Sequence, residues 1–496
     1  MNKQKQTNNV FTWVFILFCC IVSRLLSTIY YIEDIDSLRF ALSMVEYDVE
    51  KLQPHFPAYP VFCFLAKFIY VLTGRYSLAF SIIGGISTFF TIFFTLKIVK
   101  IKCTSQLGII AILILFMNPL LWLMSNRYMP DILGLACLLG AFYYILESIH
   151  PDGKNSSLYS YIGYFLAAIL LGIKVSYIPL LIPVLLIGLK NNNIMKLFYA
   201  GGMGLLLWLI PLLWMTGWKT LLGSALNQTQ GHFTDFGGTV STNPDLWLRL
   251  NKIIESVVAD GFGLYWQGRH LITVVSTILL LIIIFSNWKS IVGRTKQSLF
   301  GQNHIYHKPL LIGCIFYSVW LFVGQNVIYK SRHIIPLLPF FSIGIAIACN
   351  KILNYTKKQT DSFQRILKGW YPYCIGILVC FLLSYSYVTI HTVIQHTRPT
   401  AIAQIQRYLL EKTSQSNNEL KIVSVPLIKY YLVSQGVKAE YIPIRTSKDL
   451  HQLNDLNSEF VVIGTKIPNR NPKKESTFYH NPYVNRMWSE IPVYEY

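Results

Sequence analysis

Long apolar runs alternate with short polar breaks over most of this chain, and the pattern changes character only near its end. The runs 11–30, 77–96, 107–123, 132–146, 159–173, 177–189, 197–214, 271–285, 310–325, 334–349 and 373–390 predict about eleven membrane-spanning helices. The run 57–72 is also apolar, but it is short and is opened by Pro54, Pro57 and Pro60, which predicts an interfacial or re-entrant helix instead. The longest polar interruption, 217–270, contains NQTQGHFTDFGGTVSTNPD. It reads as a Gly-rich loop of little periodicity with a short helix near 247–258. From residue 397 the composition becomes that of a soluble unit. Strand-like 421–425, 439–444 and 459–464 alternate with helix-like 401–410, 427–435 and 447–456. The expected fold is an all-α polytopic membrane part, 1–396, followed by a small α/β domain, 397–496.

Charge orients this arrangement. The 496 residues are 53% hydrophobic and only 13% charged, with a net charge of +20. In a soluble protein that excess would suggest nucleic acid. Here the cations cluster between apolar runs, at Lys97/Lys100/Lys102, Lys289/Arg294/Lys296 and Lys351/Lys357/Lys358. That is the signature of cytoplasmic loops, and no basic stripe alternates with exposed aromatics, so nucleic acid is not expected as a partner. An odd number of spans with the N-terminus inside puts the C-terminal domain outside, in the manner of a bacterial inner-membrane protein. The first run lacks an A-x-A-like site and carries Arg24, which reads as a retained helix rather than a leader. The nine cysteines, mostly inside apolar runs, show no metal-ligand spacing.

Against this basic background one stretch is acidic. Glu33, Asp34, Asp36, Glu46, Asp48 and Glu50 are six of the twenty-three acidic residues and fall within eighteen positions, in the first outer segment 31–76. Carboxylates beside lipid are costly. They read either as a solvated loop or as chemistry: a positioned carboxylate can take the proton of an attacking hydroxyl. Lys174 interrupts an apolar run at a predicted outer edge, as a snorkelling lysine or as a phosphate-binding cation. Lys330, Arg332 and His333 sit at another outer helix end, against the positive-inside rule, which favours an anionic ligand. His55 is either a packed histidine or a substrate contact. His232 and Asp235 lie in a stretch that could cover substrate, and Arg24 is expected to be paired or snorkelled.

Asp36-Ser37-Leu38-Arg39-Phe40-Ala41, followed by Gln53-Pro54-His55-Phe56-Pro57-Ala58-Tyr59-Pro60, resembles the first outer loop of GT-C-fold glycosyltransferases, within the protein O-mannosyltransferase and aminoarabinose-transferase superfamily. Pro130-Asp131, Gly172-Ile173-Lys174 and Arg332-His333-Ile334-Ile335-Pro336-Leu337-Leu338-Pro339 extend the resemblance along the membrane part, in order. The chain departs from the pattern at Ser37, where an acid is usual, at His55 for Lys, at Ala58 for Gly and at Val175 for Gly.

The resemblance implies a polyprenyl-phosphate-linked sugar as donor and a hydroxyl on a protein, lipid or glycan as acceptor, with inversion at the anomeric carbon. It implies Asp36, with Asp34, as the catalytic carboxylates. Lys174, together with Lys330, Arg332 and His333, would hold the donor phosphate. Glu33, His55, Tyr59 and Asp131 would contact substrate. A divalent cation, Mg or Mn, would fall to Asp34, Asp36 and Asp131 if one is used. The alternative from another class is a lipid or glycolipid flippase, which would use the same cations without cleaving the head group.

Overall fold

A computed structural model describes residues 2–149, 156–191, 194–235, 237–286, 304–355, 371–415, 420–445, 449–450, 453 and 458–496. The expected inner turn at 150–154, the cations at 289, 294, 296, 357 and 358, and most of the expected helix 447–456 lie outside the described residues.

The membrane part is a helical bundle, and the protein is a multi-pass integral membrane protein. Its first helix, α1 (Asn2–Leu26), is followed by two short helices, α2 (Ile35–Val45) and α3 (Pro60–Thr73), and then by α4 (Tyr76–Ile98). Next come α5 (Gln106–Phe116), α6 (Pro119–Asn126), α7 (Asp131–Ser148), α8 (Ser156–Lys174), α9 (Ile178–Asn191) and α10 (Ile194–Thr216). After these follow α11 (Trp218–Thr234), α12 (Leu246–Glu255), α13 (Ile272–Phe285), α14 (His304–Gly324), α15 (Leu338–Tyr355) and α16 (Tyr371–His396). Each of the eleven apolar runs overlaps one or two of these helices. By length and composition alone, six stretches among the described residues qualify as spans, or seven with a bent pair, and four more apolar helices are shorter. One of the six, Ser156–Lys190, folds back on itself, because the Tyr164 hydroxyl donates to Leu185 O at 2.6 Å across the turn at Lys174–Tyr177.

Three differences from the sequence reading have plain causes. The run 107–123 is not one continuous helix but breaks at Asn118-Pro119. Proline cannot donate within a helix, so the chain bends by 52° there, and Asn118 caps a new helix by accepting from Leu121 N at 3.0 Å. The start of the 217–270 interruption is not an irregular loop: Trp218–Thr234 is helical, and His232 Nε2 meets Gly324 O at 2.7 Å. Arg24 is neither paired with a carboxylate among the described residues nor snorkelled. It is fully buried, donates to Ser125 Oγ and Ser23 Oγ at 3.0 Å each, and stacks on Trp122 at 4.0 Å. Close packing around it depends on two adjacent glycines of α4: a Cβ on Gly84 would lie 1.6 Å from Ser125 O, and one on Gly85 would lie 2.8 Å from Ile21 Cα.

The C-terminal part contains α17 (Ala401–Gln415), β1 (Lys421–Ser424), α18 (Pro426–Ser434), β2 (Glu440–Pro443), β3 (Phe460–Ile463), β4 (Lys474–Tyr479) and β5 (Glu490–Glu495). The sheet order is β2-β1-β3-β5-β4, with β1 parallel to β2 and β3, and β5 antiparallel to β3 and β4. The last two strands escape the sequence reading because KESTFY and EIPVYE alternate too weakly to stand out from a loop. One sheet face buries Ile422, Val461, Ile463 and Val493 against α17 and α18, and Ile35 and Leu38 of α2 enter the same core. The helix that carries the acidic motif is therefore packed into the C-terminal sheet's own core.

A charged clamp closes the joint. Glu33 is buried between Arg127, which donates through Nε at 2.8 Å and through Nη2, and His396 Nε2 at 3.0 Å. Arg127 Nη2 also donates to Val484 O in the β4–β5 loop, and the Thr400 hydroxyl donates to Glu33 O at 2.9 Å. Burial by itself would raise the Glu33 pKa, but Arg127 and His396 outweigh it and bring the value down to about 2.

Two outcomes follow for stability. Glu33→Gln leaves Arg127 buried without its carboxylate, so the melting transition should show a loss of about 3–5 kcal/mol. Because the Glu33 pKa drops from 4.5 to about 2 on folding, its contribution is complete above pH 4.5 and fades as pH falls toward 2. Thermal melts of the wild type should lose stability over that window, and the glutamine variant should lose less; equal slopes would remove the clamp from the account.

Candidate active site

The site forms where α2 meets the turn Ser331–Leu337 and the helix ends at Asp131 and Lys174. Asp34 starts α2 by accepting from Ser37 N at 2.8 Å, and its other oxygen accepts from Asn485 Nδ2 at 3.1 Å. It works as a helix cap facing the β4–β5 loop. That cap leaves Asp36 in the first turn, pointing inward and buried. Asp36 Oδ2 accepts from Lys330 Nζ at 2.7 Å and from Arg332 Nη2 at 2.8 Å, while Arg39 Nη1 lies 3.8 Å from Oδ1. Burial alone would raise the Asp36 pKa, but Lys330 and Arg332 reverse this and hold it well below the usual carboxylate range. The cluster is resolved as an ion triad between residues nearly three hundred positions apart.

The Pro-rich segment supplies the next wall. Leu52, Ala58 and Tyr59 take φ of 60°, 70° and 47°, a left-handed backbone that non-glycine residues seldom adopt. The Tyr47 hydroxyl holds the bend by donating to Ala58 O at 2.8 Å. The Ala58 geometry explains why glycine suits this place in the motif. The bend turns His55 and Tyr59 onto Phe40, with ring centroids 6.0 and 5.1 Å away. Tyr59 Oη lies 3.4 Å from His55 Nε2, and His55 Nδ1 is buried without a partner. Burial, reinforced by the nearby Arg39, Lys330 and Arg332, pushes the His55 pKa down to about 3, so the ring is neutral at ordinary pH.

Deeper in the bundle, Lys174 Nζ meets Asp131 Oδ1 at 3.1 Å, and the Tyr177 hydroxyl donates to the same oxygen at 3.2 Å. Asp131 is fully buried and its Oδ2 has no partner. Lys174 is buried too, and its Nζ sits 5.8 Å from the Tyr59 ring. It is not snorkelling. His333 is buried, with Nδ1 unpartnered, and its carbonyl accepts from the Tyr317 hydroxyl at 2.7 Å. Five residues beyond Arg332, Leu337 begins an apolar groove of about 420 Å³ that continues over Phe340 and Phe341 and is walled by Cys314, Ile315, Val319 and Phe322 of α14.

The structure therefore brings Asp36, Lys330, Arg332, His55 and Tyr59 into one cluster, with the Asp131–Lys174 pair across the Tyr59 ring. Glu33 stands apart, its carboxylate engaged by the clamp. A divalent ion does not fit this donor set: Asp36 and Asp131 are each neutralised by a cation, Asp34 is a cap, and no group of three or more His, Cys, Asp or Glu converges among the described residues. Sequence reasoning missed Arg127, Asp260, Asn485 and Arg486. Asp260 is held by Arg269 at 3.0 Å and by Arg486. Nothing local marks these pairs, since Asp260 and Arg486 are 226 residues apart.

No protein-family model and no curated protein sequence matches the chain. Solved structures do. ArnT from Cupriavidus metallidurans bound to undecaprenyl phosphate is similar at a TM-score of 0.51 and 10% identity, over 99% of this chain and 98% of that one. The same protein in the apo state gives 0.52 and 11%, over 97% of each. The Archaeoglobus fulgidus oligosaccharyltransferase, tethered to an acceptor peptide, gives 0.53 and 12%, over 94% of this chain and 70% of that one. At such identities the likeness is one of fold, and it extends over nearly the whole length: the chain has the GT-C glycosyltransferase fold.

Proposed function

We propose that the protein is an inverting glycosyltransferase that moves a sugar from a polyprenyl-phosphate donor to an acceptor hydroxyl at the outer membrane face. The observation that carries this reading is the Asp36–Lys330–Arg332 triad, together with the apolar groove that begins at Leu337, five residues beyond Arg332. A lipid-linked phosphate needs both: cations for the phosphate and an apolar lateral seat for the first part of the chain. One structural relative is described as bound to undecaprenyl phosphate, and another as tethered with an acceptor peptide, which fits a lipid donor and a separate acceptor. The C-terminal domain lies outside the cytoplasm in this reading, over the acidic loop.

In the mechanism, the donor phosphate draws Lys330 and Arg332 away from Asp36. Lys174 and His333 line the deeper side of the same seat. Relieved of its two cations, Asp36 becomes a better base. It accepts the acceptor's proton as the hydroxyl oxygen attacks the anomeric carbon, and the bond from that carbon to the phosphate oxygen breaks. The polyprenyl phosphate leaves as an anion against the cations that received it. His55, neutral, and Tyr59 shape the sugar pocket. No step passes through a metal.

Asp36→Asn should lower turnover of polyprenyl-phosphate sugars by about 10²–10⁴-fold while leaving lipid-phosphate binding intact, measured with a purified donor panel. A flippase would lose little from this change, so undiminished lipid movement in the variant, with no donor consumed by the wild type, would replace the enzyme reading. Chelator should leave turnover unchanged; loss that is restored by Mg or Mn would overturn the metal-free account.

The pH profiles carry a separate expectation. The free enzyme holds Asp36 far below the usual carboxylate range, so kcat/KM should show no acid limb from it near pH 4 or above. Once the donor takes the cations, the limb in kcat should appear at higher pH. Coincident limbs would show that Lys330 and Arg332 never leave Asp36.

A further inference from the structure

The loop joining β4 to β5 does more than fasten the C-terminal domain. Its residues Pro482–Met487 form one wall of a polar cavity whose other wall is Asp34, Arg127 and Tyr329–Arg332. Cations dominate the lining: Arg127, Lys330, Arg332 and Arg486, against the single carboxylate of Asp34. Arg127 is taken up by Glu33 and Lys330 by Asp36, but the other two differ. Arg332 gives Nη2 to Asp36 while its Nε is buried and bonded to nothing. Arg486 gives Nη2 to Asp260, with Glu255 at 3.3 Å, while its Nη1 is likewise buried and bonded to nothing. A buried guanidinium N–H without an acceptor is costly, and two arginines that line one cavity each carry such a group, which points to an acceptor that arrives from outside.

We propose that this cavity is an oxyanion site shared between the two parts of the chain, in which Arg486 joins Lys330 and Arg332 on one phosphate-class group. The inference rests on the glycosyltransferase reading for its biological meaning, but not for its chemistry. Both arginines offer free donors, and the planar fork suits a tetrahedral oxyanion. The cavity holds about 20 Å³ as it stands, room for one water and not for a phosphate. Admission therefore requires the loop or Lys330, whose side chain is 28% exposed at the rim, to give way. The group belongs either to the donor's phosphate or to an anionic group on the acceptor. In both cases the C-terminal domain completes the site rather than sitting above it.

The test uses the full-length protein in detergent, with polyprenyl phosphate and inorganic phosphate as separate probes. The wild type is set beside Arg486→Gln, Arg486→Lys and Arg269→Gln. Arg269 shares Asp260 with Arg486 and stacks on Tyr483 at 3.5 Å, yet it does not line the cavity, so it reports the purely structural cost. Arg486→Gln should weaken at least one probe by about tenfold or more. Arg486→Lys, which keeps the charge and loses the fork, should fall between, and Arg269→Gln should bind both probes as the wild type does. Weakened polyprenyl phosphate assigns the site to the donor; weakened inorganic phosphate with unchanged lipid binding assigns it to an acceptor-borne anion. Unchanged binding of both probes in Arg486→Gln, or an equal loss in Arg269→Gln, overturns the proposal. A wild type that ignores polyprenyl phosphate but shows Arg486-dependent phosphate binding would sink the donor reading while leaving this one standing. Arg486→Lys keeps the test open should the glutamine variant fail to fold.

Discussion

Charges that leave water must find partners, and in this protein most of the partners come from far along the chain. Asp36 meets Lys330 and Arg332, Glu33 meets Arg127 and His396, Asp131 meets Lys174, and Asp260 meets Arg269 and Arg486. An isolated ion near hydrocarbon is strongly unfavourable, so each acid requires its cation to be delivered in register. That requirement ties the acidic segment after α1, the turn Ser331–Leu337 and the C-terminal sheet into one assembly.

The four pairings do different work. Glu33 and Asp260 are held from several sides, by groups that also grip the β4–β5 loop, which suits fastening. Asp36 and Asp131 are held less completely. Asp131 keeps an oxygen without a partner, and the cations of Asp36 border a polar cavity. Reactive groups need such partial satisfaction, since a ligand can then offer better partners than the protein does. The strained backbone at Ala58 and Tyr59 belongs with them: it aims two aromatic rings at the cluster at a local cost that the packing on Phe40 offsets.

The helix breaks serve the same end. The chain interrupts helices at Asn118-Pro119, at Lys174–Tyr177 and at Ser331–Leu337, and the last two breaks present charged side chains to the cluster. Irregular backbone within a bundle is tolerated only where protein or a cavity covers it: the first and last breaks are largely buried, and Lys174 and Tyr177 are the buried residues of the middle one.

The membrane class, the helical stretches and the α/β character of the end were legible from residue order. So were the acidic loop and most residues of the Asp36 cluster, through local motifs such as Asp36–Ala41 and Arg332–Pro339. Hydrophobic length and proline chemistry act over a few residues, and any such constraint is written in the local sequence. What only the tertiary structure decided is the sharing of roles among the charges: Asp34 caps while Asp36 faces the cations, Glu33 fastens, Lys174 is buried against Asp131, and Arg486 enters from the last hairpin. Ion pairing has no sequence period. Its partners are chosen by where packing places segments hundreds of residues apart, and burial then turns those placements into chemistry.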